Sequence, residues 1–352
     1  MSSAYSLEFP MDVCYIGRMN REHASTLQDF RQVQQHPIVF PLPTDLLTIQ
    51  GGEAIDFLNR LSTNDVRQLA PSELCTTILT TEKARIIDII SILPQGQDYL
   101  LITSPGNAEK VIAWLEKFII MEQLQISRVT SDLSRLCFIG DDAGSRLESI
   151  LNLELPSDDR RFSSIPYHNS NIILYRDPLW PGQTWNALGS PDAIAGLYEN
   201  CCSKGEGEGF RSVGTGEIET IRIENGVPAL DLELTDQVNP LEANLEKFVS
   251  FTKGCYIGQE VIARIDSYKK LQKKLTGFVL HSAERGVILP GTLLSNDVEV
   301  GWTTSHAWSN KLNKQIALGY LKTTVGDFTL QFRLKNAGAE IPASVSRLPF
   351  QS

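Results

Sequence analysis

The sequence predicts an α+β protein, two β-α halves followed by a strand-rich tail. Three observations carry this. Short β-type runs alternate with amphipathic helical stretches as far as about residue 270. Ser-Pro or glycine punctuation separates many of them. Beyond Leu275, five short runs rich in Val, Ile, Leu and Phe are divided by Gly, Pro, Asn and Asp, the pattern of a small barrel or sandwich.

Residues 1–36 lack a sustained period and read as an extension with a short helix around His23–Gln34. Ala54, Ile55, Phe57, Leu58 and Leu61 recur at helical spacing after Gly51-Gly52, an amphipathic helix ending near Ser62. Arg85–Leu93 and Tyr99–Thr103 flank Pro94-Gln95-Gly96-Gln97, which predicts a hairpin. Ser104-Pro105 then reads as an N-cap with proline in the first turn, ahead of Val111, Trp114, Leu115 and Phe118. Leu136–Gly140 and Asp142–Leu153 repeat the β-then-α step, and Ser190-Pro191 repeats the cap, a hint of internal duplication. A helix is expected over Thr215–Asn225, capped by Thr215 and closed by Gly226 before Pro228. The tail runs are Gly277–His281, Val287–Leu294, Val298–Thr303, Ile316–Tyr320 and Phe328–Phe332, with the boundary at Lys269–Lys274.

The 352 residues suit about two or three domains, each with its own core. With 32 Lys+Arg against 42 Asp+Glu the formal charge is −10, which argues against a general nucleic-acid binder. No apolar run approaches a membrane span; Ile86–Leu93 is interrupted by Asp88. Cys14, Cys75, Cys137, Cys201, Cys202 and Cys255 form no CxxC pair, so neither structural zinc nor a disulfide framework is expected. Met1 to Asn20 has neither a signal-peptide core nor a transit-peptide composition, so a cytoplasmic setting is expected, or an organellar one after removal of a leader.

Chemistry concentrates in Lys253-Gly254-Cys255-Tyr256-Ile257-Gly258-Gln259-Glu260. The two glycines allow a tight turn that presents the thiol, and Gln259 and Glu260 open an apolar-periodic helix. A thiol before a helix N-terminus, two residues from Lys253, sits in a positive field, and both features favour thiolate. The competing reading is a buried cysteine at a strand-to-helix turn, since free cysteines are commonly buried. Residues 253–274 also hold six basic groups (Lys253, Arg264, Lys269, Lys270, Lys273 and Lys274) against Glu260 and Asp266. This patch suits an acidic partner or tail, or simply a solvated surface.

The string KGCYIGQE resembles the signature K-G-C-[FY]-x-G-Q-E of the YgfZ family, folate-binding proteins related to the T-protein (aminomethyltransferase) of the glycine cleavage system. Leu61-Ser62-Thr63-Asn64-Asp65-Val66 resembles an early T-N-D-V element. Arg222 through Pro228 resembles R-x-E-x-G-x-P, and Pro240 through Leu245 resembles P-x-E-[AS]-x-L. Val300 through Ser305 and Ile316 through Tyr320 resemble V-G-x-x-T-S and I-A-L-[AG]-Y. The resemblance implies a T-protein-like three-lobed arrangement: two ferredoxin-like lobes and a C-terminal β-barrel around a central folate channel. The expected division is an extension over 1–36, a two-lobed folate-binding region over 37–270 and a barrel over 271–352.

The departures from the T-protein bear on activity. Cys255 stands where the T-protein typically has Asp, and the second-lobe G-Y-T-G-E has no equivalent at Tyr175 through Gly182. G-G-x-x-D-D appears as Ala84 through Ile89 with only Asp88 kept, and Ser104 replaces the first Asn of Y-x-x-V-x-N-A-x-N. The resemblance implies tetrahydrofolate or another folate as ligand, with Arg222, Asp88, Ser104 and Asn64 as binding residues. A carboxylate such as Asp88 matches a pterin's donor–acceptor edge, and Arg222 suits an anionic group. Arg222 and Glu224 also read as helix residues with local ion pairs, and Asp88 as a strand residue facing solvent. The favoured function is an accessory factor for assembly or repair of iron–sulfur proteins, partnering those proteins or their assembly factors. Cys255 and Lys253 would be its working groups, the rest of 254–260 the supporting motif. No permanently bound metal is expected, since a lone cysteine cannot hold a cluster that takes four protein ligands. The alternatives are a one-carbon (aminomethyl) transferase on another amine, or a recruitment module without folate.

Overall fold

The computed structural model describes residues 37–205, 207–281, 290–325, 332–336 and 339–351. The extension, with the short helix expected around His23–Gln34, lies outside these residues, as do residues 287–289 of the run expected at Val287–Leu294 and residues 328–331 of that expected at Phe328–Phe332. The described chain has three parts, two helix-backed sheets and a closed barrel.

After β1 (Ile38–Pro41), which joins the second sheet, the chain builds the first lobe. Its elements are β2 (Asp45–Gln50), α1 (Ala54–Leu61), β3 (Cys75–Thr80), β4 (Ile86–Gln95), β5 (Asp98–Thr103), α2 (Ala108–Glu116) and β6 (Gln125–Arg128). The strands lie in the order β3-β4-β5-β2-β6, all antiparallel, and the expected hairpin is β4–β5. The apolar stripes of α1 (Phe57, Leu58, Leu61) and α2 (Val111, Trp114, Leu115) bury against Ile49, Ile90, Ile92 and Leu101. Ser104 does not cap α2, contrary to the sequence expectation; Asn107 occupies that position. The Ser104 hydroxyl and amide are instead taken by buried Asp88, at 2.6 and 3.1 Å, and Gly106 turns the chain first. Asp45 accepts from the Ala108 amide at the helix start.

The second lobe comprises β7 (Ser134–Ile139), α3 (Ala143–Leu151), β8 (Phe162–Tyr167), β9 (Ser170–Arg176), β10 (Thr184–Gly189), α4 (Pro191–Ser203) and β11 (Arg211–Ser212). The sheet order is β11-β1-β7-β10-β9-β8. Here the Ser-Pro cap forms as read, with Ser190 Oγ accepting from the Ala193 amide. Leu147, Ile194 and Leu197 pack on Phe138 and Trp185.

Helix α5 (Thr215–Glu224) follows, with Gly214 rather than Thr215 at its N-cap, so Thr215 is its first helical residue. An irregular stretch over 225–258 leads into α6 (Gln259–Tyr268). The barrel closes in the order β12-β15-β14-β13-β16-β17, formed by β12 (Lys273–Leu280), β13 (Thr292–Ser295), β14 (Val298–Ser309), β15 (Lys314–Lys322), β16 (Phe332–Asn336) and β17 (Ala339–Ser346). A side chain at Gly301 would meet the Tyr320 carbonyl at 2.1 Å, so the β14–β15 crossing requires glycine there.

One buried ion pair ties α5 to the barrel. Arg222 donates from Nη1 to Glu233 Oε2 (2.9 Å) and the Val227 carbonyl (2.5 Å). It forks Glu219 through Nε and Nη2 (2.8 and 2.6 Å), and Nη2 also donates to Ser305 Oγ (2.6 Å). All five guanidinium N–H donors are thereby engaged. Glu233 is fully buried and also accepts from the Ala229 amide, Thr304 Oγ1 and Ser305 Oγ. Thr304 and Ser305 are adjacent, yet both reach Glu233, because the β14–β15 register shifts between Thr303 and Ser305. Such a bulge turns side chains that would otherwise face opposite ways. Removing one partner of a buried pair leaves the other charge uncompensated, so Arg222→Ala should cost about 3–5 kcal/mol of stability in urea unfolding. A loss below about 1 kcal/mol would contradict this role.

Candidate functional site

The segment 248–258 is fastened to the first lobe on both sides of Cys255. Thr63 Oγ1 donates to the Phe248 carbonyl (2.7 Å), and the Ser250 amide to the Thr63 carbonyl (2.9 Å). Lys253 Nζ donates to the carbonyls of Asn59 (2.7 Å), Ser62 (2.9 Å) and Asn64, around the C-terminal end of α1. A cation is favoured there by the helix dipole and the unpaired carbonyls. Past the cysteine, Tyr256 is buried, with the Lys253 ammonium 5.2 Å from its ring centre. The Ile257 amide donates to the Arg60 carbonyl, and its own carbonyl accepts from Thr80 Oγ1.

Gly258 ends the loop as N-cap of α6 with φ 85°. A Cβ there would fall 2.8 Å from the Thr81 carbonyl and 2.7 Å from Thr80 Oγ1, so both conformation and space demand glycine. Gly254 differs: it lacks a positive φ and opens onto free space, so the expected two-glycine turn rests on Gly258 alone. Gln259 reaches back to the Lys253 carbonyl at 3.5 Å, and Glu260 is exposed. Between these anchors Cys255 is exposed, which decides against the buried-cysteine reading.

Lys253 is not the bare cation beside the thiol that its spacing suggested. Its three donors hold carbonyls of the first lobe, and burial pulls its pKa down to about 8. The Cys75 thiol is pushed up to about 11 by burial while Lys253 pulls the other way.

The other predicted residues divide. Asp88 and Ser104 come together, with Asn107 alongside donating to the Ile87 carbonyl (3.0 Å). Asp88 is fully buried, contrary to the solvent-facing reading, and accepts from Ser104 Oγ, the Ser104 amide and the Ile89 amide. Asn64 shapes its own turn: its side-chain Nδ2 donates to the Thr76 carbonyl and its side-chain oxygen accepts from the Asp65 amide. Arg222 corrects the expectation of a ligand-facing arginine, since no donor is left over. Glu224 accepts from Ser309 Oγ rather than from a cation. Sequence reasoning missed Glu233, which carries no motif signal, and the Arg135–Asp177 pair (2.6 Å) beside buried Tyr175, whose hydroxyl has no hydrogen-bond partner among the described residues.

Two helix-backed sheets, a closed barrel and a cysteine loop anchored between first lobe and α6 define a T-protein-like protein. The chain belongs to that family: the GCVT N-terminal domain matches residues 4–253 and the glycine cleavage T-protein C-terminal barrel domain residues 273–351. The aminomethyltransferase of Thermoanaerobacter pseudethanolicus is 25% identical over 284 residues, 78% of this chain and 75% of that one. A putative chloroplastic transferase of Arabidopsis thaliana is 26% identical over 308 residues, 86% of this chain and 68% of that one. The crystal structure of the glycine cleavage aminomethyltransferase of Bartonella henselae shares the fold, with TM-score 0.76 at 19% identity over 92% of this chain and 88% of that one. Among the described residues no group of three or more His, Cys, Asp and Glu is placed to hold a metal ion, and no helix is long and apolar enough to cross a membrane.

Burial pushes the Asp88 carboxyl up to about 6 against the lowering pull of hydrogen bonds from Ser104, Asn107 and Ile89. The folded state then keeps this proton to higher pH than the unfolded chain. The stability Asp88 contributes is present below about pH 4 and lost as pH rises through about 6. The unfolding free energy of the wild type relative to Asp88→Asn should therefore fall by about 2–3 kcal/mol between pH 4 and pH 7. Urea titrations across that range check this, and a flat difference would show that Asp88 titrates as it does unfolded.

Proposed function

We propose that this chain is a folate-binding accessory factor of the YgfZ type, serving assembly or repair of iron–sulfur proteins, with Cys255 as its working thiol. One observation carries the reading: the loop is anchored immediately before and after Cys255, yet that side chain is left in solvent. A thiol kept only for packing would follow its neighbour Tyr256 inward. The region 37–270 is the proposed folate-binding part, with the barrel over 271–352 held to it by the Arg222–Glu233 pair.

The residues fit tetrahydrofolate in part. Bound there, it would supply a one-carbon acceptor. Asp88 is a carboxylate of the kind that matches a donor edge of a pterin, and it lies fully buried beside Ser104. Ser104 holds that carboxylate in place, and Asn64, whose carbonyl takes the Lys253 ammonium, lies beside the cysteine loop. Arg222 does not fit as a ligand contact, because its five donors are held by the protein. Clients are proposed to be iron–sulfur proteins or their assembly factors, approaching the exposed Cys255 loop.

A second reading, a one-carbon (aminomethyl) transferase, is favoured by relatives that are aminomethyltransferases. Against it stand Cys255 in the usual Asp position and Ser104 in place of Asn. Calorimetry with tetrahydrofolate should show saturable binding, and Cys255→Ser should fold normally but fail to restore iron–sulfur enzyme activities in a deletion strain. Full restoration would make the thiol structural. Absence of binding at high micromolar ligand would leave only a recruitment module, and turnover of an aminomethyl donor would establish the transferase.

A further inference from the structure

A groove of about 400 Å³ lies between the β3–β4 turn, the 239–242 segment and α6. Its polar wall carries Lys83, Arg85, Arg264 and Lys270 against one carboxylate, Glu242. These cations arrive from segments far apart in sequence and converge on one concavity, which a merely solvated charge run would not do. Their arrangement has local causes. Lys269 takes the left-handed conformation at the C-cap of α6 and pairs outward with Asp266, which turns Lys270 into the groove wall. Arg264 lies one helical turn before Tyr268, whose exposed ring adds an aromatic edge beside Val261 and Ile265.

Glu242 does not neutralise this wall. It accepts from the Asn239 amide (3.1 Å) and lies 3.8 Å from Arg85 and 4.0 Å from Lys273, so its charge is already compensated. Lys83, Arg264 and Lys270 have no carboxylate within ion-pair distance among the described residues, and Lys270 has only the Tyr268 ring at 5.4 Å. Three exposed cations without counter-charges among the described residues thus line one concavity within a chain of formal charge −10.

We propose that this groove is a binding site for a small oligoanion, a ligand carrying two or more carboxylate or phosphate groups, gripped by Lys83, Arg264 and Lys270. The volume is that of a small-molecule site rather than a single-ion notch. The cations stand on separate elements, so charges spaced along a short chain match them better than one compact anion. The apolar strip of Val261, Ile265 and Tyr268 accommodates the carbon framework between the charges. This site is independent of Asp88 and Cys255, and stands whether or not the protein binds folate.

The test uses the full chain with two probes, tripolyphosphate and the tripeptide Glu-Glu-Glu, by calorimetry at low and at physiological ionic strength. At least one probe should bind one-to-one and more weakly at the higher ionic strength. The double variant Lys83→Gln/Arg264→Gln should weaken that binding by about tenfold or more, while Lys110→Gln on α2 leaves it unchanged. Preference for tripolyphosphate would identify phosphate as the natural chemistry, and preference for the peptide would identify carboxylate. The bound probe should also protect Lys83 and Lys270 from acetylation, which reads the site in the unaltered chain. Binding of neither probe, or equal affinity in the double variant and Lys110→Gln, would overturn the proposal.

Discussion

The arrangement depends on the buried pair of Arg222 and Glu233. Helix α5 arrives from the second lobe, Glu233 sits in the irregular stretch that follows, and Thr304 and Ser305 belong to the barrel. A charge removed from water needs compensation on every side, and here each side is supplied by a different part of the chain. Tyr320 adds a fourth tie, its hydroxyl donating to the Glu233 carbonyl (2.8 Å). Because the guanidinium and the carboxylate are each satisfied several times over, lobe and barrel cannot shift independently without leaving polar groups unpaired.

A second anchor acts locally. Lys253 closes the C-terminal end of α1, Gly258 lets α6 begin in close contact with the β3–β4 turn, and Tyr256 fills the space between. Between these points Cys255 faces solvent. The lysine and glycine of the motif position the loop, and the cysteine is left exposed between them. The same helix then supplies Arg264 and the turn to Lys270, so one short element serves both the thiol and the basic groove.

Much of the fold was legible because the signals were local. The spacing of Phe57, Leu58 and Leu61, the β4–β5 hairpin and the start of α6 at Gln259 all follow from periodicity and turn residues within a few positions. Failures came where a distant group outcompeted a local one. Ser104-Pro105 and Ser190-Pro191 look alike, yet only the second caps a helix, because Asp88 sixteen residues upstream captures Ser104. Arg222 resembles a ligand-facing arginine until partners at 219, 227, 233 and 305 converge on it. Lys253 is two residues from Cys255 in sequence, but its acceptors come from residues 59, 62 and 64. The basic patch was visible over 253–274, but Lys83 and Arg85, which complete it, come from another lobe.

The central claim is that anchoring on both sides of residue 255 forces its thiol outward. It is tested most directly by brief maleimide labelling of the native protein, with modified cysteines mapped by mass spectrometry. The account predicts that Cys255 reacts at a rate near that of a small thiol in solution, while buried Cys137 and Cys201 react only on unfolding. Protection of Cys255 to the same degree as Cys137 would contradict it.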